Sequence, residues 1–159
     1  MQALEREALK QRHRYNEWGG KSTLPSDRSV RKFTFTGDEL PGSRLERVDR
    51  RDADQPPRLT AFWRRGDTQA VVRTDVFECA SLNAAHEYLI DALNEFESGG
   101  IGRRTDMNVG DVAFGTDSVA LFARANLVVL VRKATPQTEP VTPIAQAIDA
   151  IILGWLKQG

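Results

Sequence analysis

The segment from Ser118 to Arg132, SVALFARANLVVLVR, constrains the fold of this chain more than any other. Two apolar runs flank a short polar break at Arg124, Ala125 and Asn126. Because asparagine tolerates a left-handed backbone, the break can reverse the chain, and the segment predicts a β-hairpin. A strand with one face in water would alternate apolar and polar residues. Neither strand does so, and we therefore expect both faces of the sheet to be covered at its centre.

A second hairpin is predicted earlier in the chain. Residues 58–65 and 68–77 are two runs rich in β-formers, and Gly66 and Asp67 stand at the reversal between them. This pattern is typical of a short hairpin turn.

Each hairpin is followed by an amphipathic helix. Ser81 is a suitable N-cap, and apolar residues recur at helical spacing from there to Phe96, before the glycines at 99–100. Thr142 is predicted to cap the last helix, with Pro143 at its first position.

The remaining segments give weaker signals. A thin apolar stripe of Leu4, Ala8, Tyr15 and Trp18 predicts a helix over 2–18, which the glycines at 19–20 end. The other expected elements are a loop over 21–29, a strand over 30–36, a polar edge-like strand over 44–50 and a short strand over 112–114.

This order of elements predicts an α+β fold. We expect an antiparallel β-sheet built from hairpins, with two helices packed on one face, plus an N-terminal helix. The N-terminal helix is the expected cover for part of the second face, and a partner subunit or a ligand is the competing cover. The expected division is an N-terminal helix with its connecting loop over 1–29 and a single sandwich domain over 30–159.

Composition limits the classes of function. The chain has 159 residues, and its 22 basic and 22 acidic residues cancel, so net charge gives nucleic-acid or membrane binding no support. The one cysteine excludes an intramolecular disulfide and a zinc site built on several thiolates. No apolar run is long enough for a membrane span. A cytoplasmic location is the default expectation, and export with a cleaved signal peptide is the open alternative.

Candidate catalytic residues are few. Cys79 lies two residues before Ser81, where the positive end of a helix lowers a thiol pKa. His86 would lie about 10 Å farther along that helix, too far for a thiolate–imidazole pair. Position 90 is Ile90, so His86 has no second histidine at metal-ligand spacing. A buried, inert Cys79 is the favoured interpretation, and no metal or cofactor is expected.

Three aspartates and a glycine-rich loop have similarly plain interpretations. Asp106, Asp111 and Asp117 surround the loop before the central hairpin, but their spacing matches no calcium loop. We expect them to accept backbone N–H bonds. The loop over 99–104, GGIGRR, follows a helix, so it lacks the helix N-terminus that a phosphate cradle needs.

Basic pairs and aromatic residues suggest where a ligand would bind. Arg50-Arg51, Arg64-Arg65 and Arg103-Arg104, with Phe62 and Trp63, could line a sheet face for single-stranded nucleic acid. Acidic residues interrupt them, and nucleic-acid binding is not favoured. Phe62 and Trp63 are adjacent in a strand and must point to opposite faces.

We therefore expect a non-enzymatic binding or assembly module. An apolar sheet face, rimmed by arginines, would receive a protein partner, a second copy of the chain as a homodimer, or a small apolar ligand. The residues expected to form this surface are Phe62, Trp63, Arg64, Arg103, Arg104 and Trp18. The alternatives are a small hydrolase using Cys79, His86 and loop carboxylates, or a weak binder of single-stranded nucleic acid.

Overall fold

A computed structural model describes residues 2–19, 24–137 and 139–158 and, at Ser98, the backbone only. The α-helices in these ranges are α1 (Ala3–Arg12), α2 (Leu82–Glu95) and α3 (Thr142–Leu156). The strands are β1 (Ser43–Arg51), β2 (Arg58–Arg65), β3 (Val71–Glu78), β4 (Gly102–Arg103), β5 (Val112–Gly115), β6 (Val119–Arg124) and β7 (Leu127–Lys133). Short 3₁₀ turns are formed by Tyr15–Glu17, Val30–Lys32, Glu97–Gly99 and Thr105–Met107.

The seven strands form one antiparallel sheet in the order β1-β2-β3-β7-β6-β5-β4. The α+β class is therefore confirmed. Both predicted hairpins are present, as β2–β3 and β6–β7, and β7 occupies the middle of the sheet. The strand predicted over 44–50 is β1, and it is an edge strand as expected.

The helices α2 and α3 lie on opposite faces of the sheet. On β6 and β7, Leu121 and Val128 pack in the cluster that contains α2, whereas Phe122 and Val129 pack in the cluster that contains α3. The expected placement of both helices on one face is therefore wrong. The hairpin–helix order fixes which element follows which, but strands that are apolar on both sides require a cover on each face.

The N-terminal helix is shorter than predicted and shares the face of α2. It ends at Arg12, and Arg14 then adopts a left-handed backbone before a 3₁₀ turn. This change of direction breaks the expected stripe: Leu4 is 83% exposed, whereas Leu9 and Trp18 are buried in the α2 cluster. Of the glycines expected to end the helix, the one at 20 lies outside the described residues.

No strand forms over 30–36. This segment contains a 3₁₀ turn and then extended backbone outside the sheet. Its apolar residues, including Phe33 and Phe35, pack into the α3 cluster beside Trp63. The alternating pattern is thus satisfied by packing on the sheet rather than by pairing within it. Residues 21–23 of the loop expected before it lie outside the described ranges.

Two local predictions at turns and caps need correction. In the β6–β7 turn it is Ala125, not Asn126, that has a positive φ, of 56°. Asn126 is buried, and its amide donates to the carbonyl oxygens of Arg28 and Cys79. Thr142 is the first residue of α3 and Val141 is its N-cap, with no side-chain capping bond. The predicted Ser81 cap is confirmed, because its hydroxyl accepts from the amide of Ala84.

Candidate functional site

Strand alternation separates the aromatic residues of β2. Trp63 points to the α3 face, where it is 0% exposed and packs against Phe35. Phe62 points to the other face and is partly exposed. Trp18 is also buried. Trp63 and Trp18 therefore belong to the core and not to an exposed surface.

A row of side chains crosses the sheet at Phe62. The strand registers place Arg47 of β1, Phe62 of β2, Arg73 of β3 and Arg132 of β7 directly opposite one another in turn. Directly opposed residues in an antiparallel sheet point to the same face. Helix α2 covers this face farther along the sheet, where it packs on β6 and β7.

Further arginines lie on this face. The register also opposes Arg44 to Arg64 and Arg51 to Arg58. We call this surface the arginine face; it consists of Phe62 with Arg44, Arg47, Arg51, Arg58, Arg64, Arg73 and Arg132. It thus contains three directly opposed Arg–Arg pairs, an arrangement that destabilises a sheet unless other charges compensate it.

Carboxylates compensate only part of this charge. The ion pairs are Arg47–Asp49 at 3.1 Å, Arg73–Asp75 at 3.0 Å, Arg58–Asp54 at 3.8 Å, and Glu46 with both Arg44 and Arg64. Four carboxylates thus form ion pairs with five of the seven arginines. Within the described residues, the side chains of Arg51 and Arg132 have neither an ion pair nor a hydrogen bond. The arginine face therefore carries an excess of positive charge.

Asp75 fixes the position of Arg73. Its carboxylate is 1% exposed, and it accepts two hydrogen bonds from the Arg73 guanidinium, at 3.0 and 3.2 Å. The hydroxyl of Thr60, opposite it on β2, donates to the same carboxylate. A buried carboxylate is stable only when it is paired and hydrogen-bonded. These hydrogen bonds therefore hold the Arg73 side chain in one orientation on the arginine face.

Phe62 supports two guanidinium groups. The guanidinium carbon of Arg47 lies 4.4 Å from the centroid of the Phe62 ring, and that of Arg73 lies 5.7 Å away. Both separations are within cation–π range. A shallow depression of about 300 Å³ opens here, lined by Glu46, Arg47, Phe62 and Val71.

The other predicted surface residues lie at the far end of the sheet. Arg103 is on β4, the edge opposite β1, and Arg104 follows it. Arg104 forms a bidentate pair with Asp106, and this hydrogen bonding lowers the pKa of the Asp106 carboxyl. The six predicted residues are therefore not brought together: Phe62 and Arg64 belong to the arginine face, and the others do not.

No hydrogen bond among the described residues joins Cys79, His86 and a loop carboxylate. Burial, with Glu78 nearby, raises the pKa of Cys79 to about 12, so its thiol stays protonated at neutral pH. Burial lowers the pKa of His86, which packs edge-on to Trp18 with ring centroids 5.6 Å apart. The Asp111 carboxylate accepts from the amide of Ala125 at 2.7 Å, as expected for a turn residue.

A wider groove of about 770 Å³ runs between α2 and the loop after β1, and Cys79 is among its lining residues. Two carboxylates of α2 that line it already form ion pairs within the chain. Glu87 lies 3.1 Å from the ammonium group of Lys10, and Asp91 pairs with Arg6. No group of three metal-ligating side chains occurs in the described ranges.

Comparisons with models of known protein families, with curated proteins and with solved structures give no significant match. Among the helices in the described parts of the chain, none has the length and apolarity that a bilayer crossing requires.

Proposed function

We propose that this protein is a non-enzymatic binding module that receives an acidic segment of a protein partner on the arginine face. The observation that carries the proposal is the in-register row of Arg47, Phe62, Arg73 and Arg132. This proposal replaces the apolar sheet face expected from the sequence by a charged one. The apolar parts of both faces are covered by the chain's own residues, and Leu4 is the exposed large hydrophobic residue among those described.

The energetics of the sheet support this use. Like charges directly opposite each other destabilise a sheet, and the excess arginines here have no carboxylate in the described chain. Local features that cost stability are expected where a protein binds something. A carboxylate placed between Arg73 and Arg132 would remove their repulsion and form charge-assisted hydrogen bonds.

The geometry favours a peptide over nucleic acid. The row spans three interstrand spacings, about 14 Å, which is the length of about four extended residues. Arg47 already lies over the ring of Phe62, which leaves less of that ring for stacking a base. Acidic residues such as Glu46 and Asp49 interrupt the positive surface, which suits a segment with a few spaced carboxylates better than a phosphate backbone with a charge at every nucleotide. A second copy of the chain would present the same positive charge, so self-association through this face is disfavoured.

Fluorescence anisotropy with two labelled peptides tests the proposal. One peptide alternates Glu and Ser, and the matched control has Gln in place of Glu. We expect the acidic peptide to bind, and Arg47→Glu combined with Arg132→Glu to weaken binding about tenfold or more. Arg31→Glu, an exposed arginine outside the arginine face, should leave the affinity within about twofold, the range of general screening effects.

The outcomes separate the competing interpretations. Equal binding of both peptides, or no effect of the double substitution, would refute recognition of carboxylates by this face. Tighter and strongly salt-dependent binding of an oligothymidylate would show that the arginine face binds nucleic acid rather than an acidic protein segment. If light scattering gives the mass of a dimer for both the unsubstituted protein and the double variant, self-association does not use the arginine face.

A further inference from the structure

A cavity distinct from the depression and the groove described above lies at the edge of the sheet opposite β1. It has a volume of about 510 Å³ and opens between the end of α1 and β4. Residues lining it include Arg12, His13, Arg14, Ile101, Arg103 and Thr105. The arginine face contributes none of these residues, so the two surfaces can be tested independently.

Arg14 adopts a backbone conformation that arginine rarely takes. Its φ of 55° and ψ of 49° lie in the left-handed region. Glycine or asparagine would fit there at lower cost, and such strain is concentrated at functional sites. The Arg14 side chain adds little to the stability of the fold, because its ion pair with Glu17 is 4.0 Å long and exposed. The sequence therefore has an arginine at a position where the backbone conformation alone would favour glycine.

Arg103 is a second available cation. Its side chain is exposed, and its guanidinium carbon lies 5.9 Å from the ring centroid of Phe114. No carboxylate in the described ranges forms an ion pair with it. Arg12, by contrast, is neutralised by Glu97. The cavity thus has one arginine without an ion pair in the described chain, Arg103, and a second, Arg14, whose pair with Glu17 at the cavity wall is long and exposed, so that an incoming anion can displace it.

The inner wall of the cavity is fixed and partly apolar. His13 is buried, its Nε2 lies 2.7 Å from the Glu97 carboxylate, and its ring packs edge-on to Phe114 with centroids 5.2 Å apart. The indole nitrogen of Trp18 donates to the carbonyl oxygen of His13. Ile101 adds buried apolar surface. A ligand would therefore meet a rigid apolar wall below and cationic side chains above.

We infer that this cavity binds a small organic anion, with Arg14 and Arg103 holding its carboxylate or phosphate and its apolar body against Ile101 and the His13 ring. Arginine binds both oxyanions through paired N–H donors. A cavity of this size suits a small molecule rather than a protein segment. Thr105 supplies a hydroxyl at the rim that can donate to the same oxyanion.

Isothermal titration with benzoate, phenyl phosphate and inorganic phosphate tests the inference. Benzoate binding alone would define a carboxylate site, and tighter binding of phenyl phosphate a phosphate site. Arg14→Gly should raise the melting temperature, because glycine relieves the left-handed strain, while it weakens binding of the preferred probe about tenfold. Arg103→Gln should weaken binding by a similar factor without raising the melting temperature.

Matched controls make the test decisive. Asn108 has the same φ of 55° but does not line this cavity, so Asn108→Gly repeats the backbone change and should leave the affinity unchanged. Arg31→Gln removes the charge of an exposed arginine that belongs neither to this cavity nor to the arginine face, and it should also leave the affinity unchanged. Absence of binding for all three probes at about 10 mM, unchanged affinity in Arg14→Gly, or a lower melting temperature of that variant would each overturn the inference.

Discussion

Replacing Arg132 by Gln and by Glu tests whether the arginine face carries uncompensated repulsion. Arg132 lies directly opposite Arg73 in the β3–β7 ladder, and it has no carboxylate partner in the described chain. Both substitutions shorten the side chain to the same extent, because Gln and Glu have nearly the same shape. The difference in unfolding free energy between the two variants therefore isolates the effect of charge.

The size of the effect follows from the position of the pair. Directly opposed charges in a sheet contribute about 0.2–1 kcal/mol, and partial exposure screens them toward the lower part of that range. Arg73 is already bonded to Asp75, which reduces its attraction for a new carboxylate. We expect the Glu variant to exceed the Gln variant by about 0.5 kcal/mol in unfolding free energy.

Urea denaturation measures this difference. With a slope of about 2 kcal/mol per molar urea, the midpoints should differ by about 0.25 M. The difference should shrink in about 1 M NaCl, where the screening length falls to about 3 Å. Arg31 provides a control of opposite sign, because it lies 4.0 Å from Asp52 and the Glu variant should be the less stable one there. A Gln variant of Arg132 at least as stable as the Glu variant would refute the reasoning.

Three further predictions concern the core and the Glu97 ion pair. Gly110→Ala should lower the unfolding free energy by about 3 kcal/mol or more in urea denaturation, since φ is +64° and a Cβ would lie 2.6 Å from the carbonyl oxygen of Ala123. The Cys79 thiol, with its pKa near 12, should react with a disulfide reagent at neutral pH about 100-fold more slowly in native than in urea-unfolded protein; equal rates would contradict its burial. Burial alone would raise the pKa of Glu97, but hydrogen bonds with His13 and Arg12 outweigh it and lower the pKa. Glu97→Gln should therefore lower the unfolding free energy at pH 7. This loss should shrink as the pH falls below about 4.3, the pKa of an unperturbed Glu, and through the lower pKa of the folded state. A loss that is constant from pH 7 to pH 3 would contradict the assignment.

The hairpins and the helix after Ser81 could be predicted because their signals are local. A turn pair such as Gly66-Asp67 and a 3.6-residue apolar repeat specify backbone conformation within a few residues. The failure over 30–36 has an equally physical cause. Alternation shows that every second residue is buried, but it does not distinguish a strand within a sheet from an extended segment packed on one.

The candidate site could be predicted only in part. Phe62 and Arg64 carry a local signal, an aromatic residue and a basic pair in one strand. Arg47, Arg73 and Arg132 were missed, because each looks like an ordinary solvated arginine in its own strand. The density of arginines in β1, at positions 44, 47, 50 and 51, is the available hint, but only the register shows which of them oppose other arginines.

By itself, the sequence determined the class of fold, the two hairpins and the need for a cover on both faces of the central strands. Those properties depend on burial and turn chemistry, which neighbouring residues carry. Only the tertiary structure decided that α2 and α3 take opposite faces, that arginines from three strands form one row with Phe62, and that Arg14 and Arg103 meet at one cavity. Contacts between residues distant in the chain depend on strand register and packing, and no local pattern encodes them.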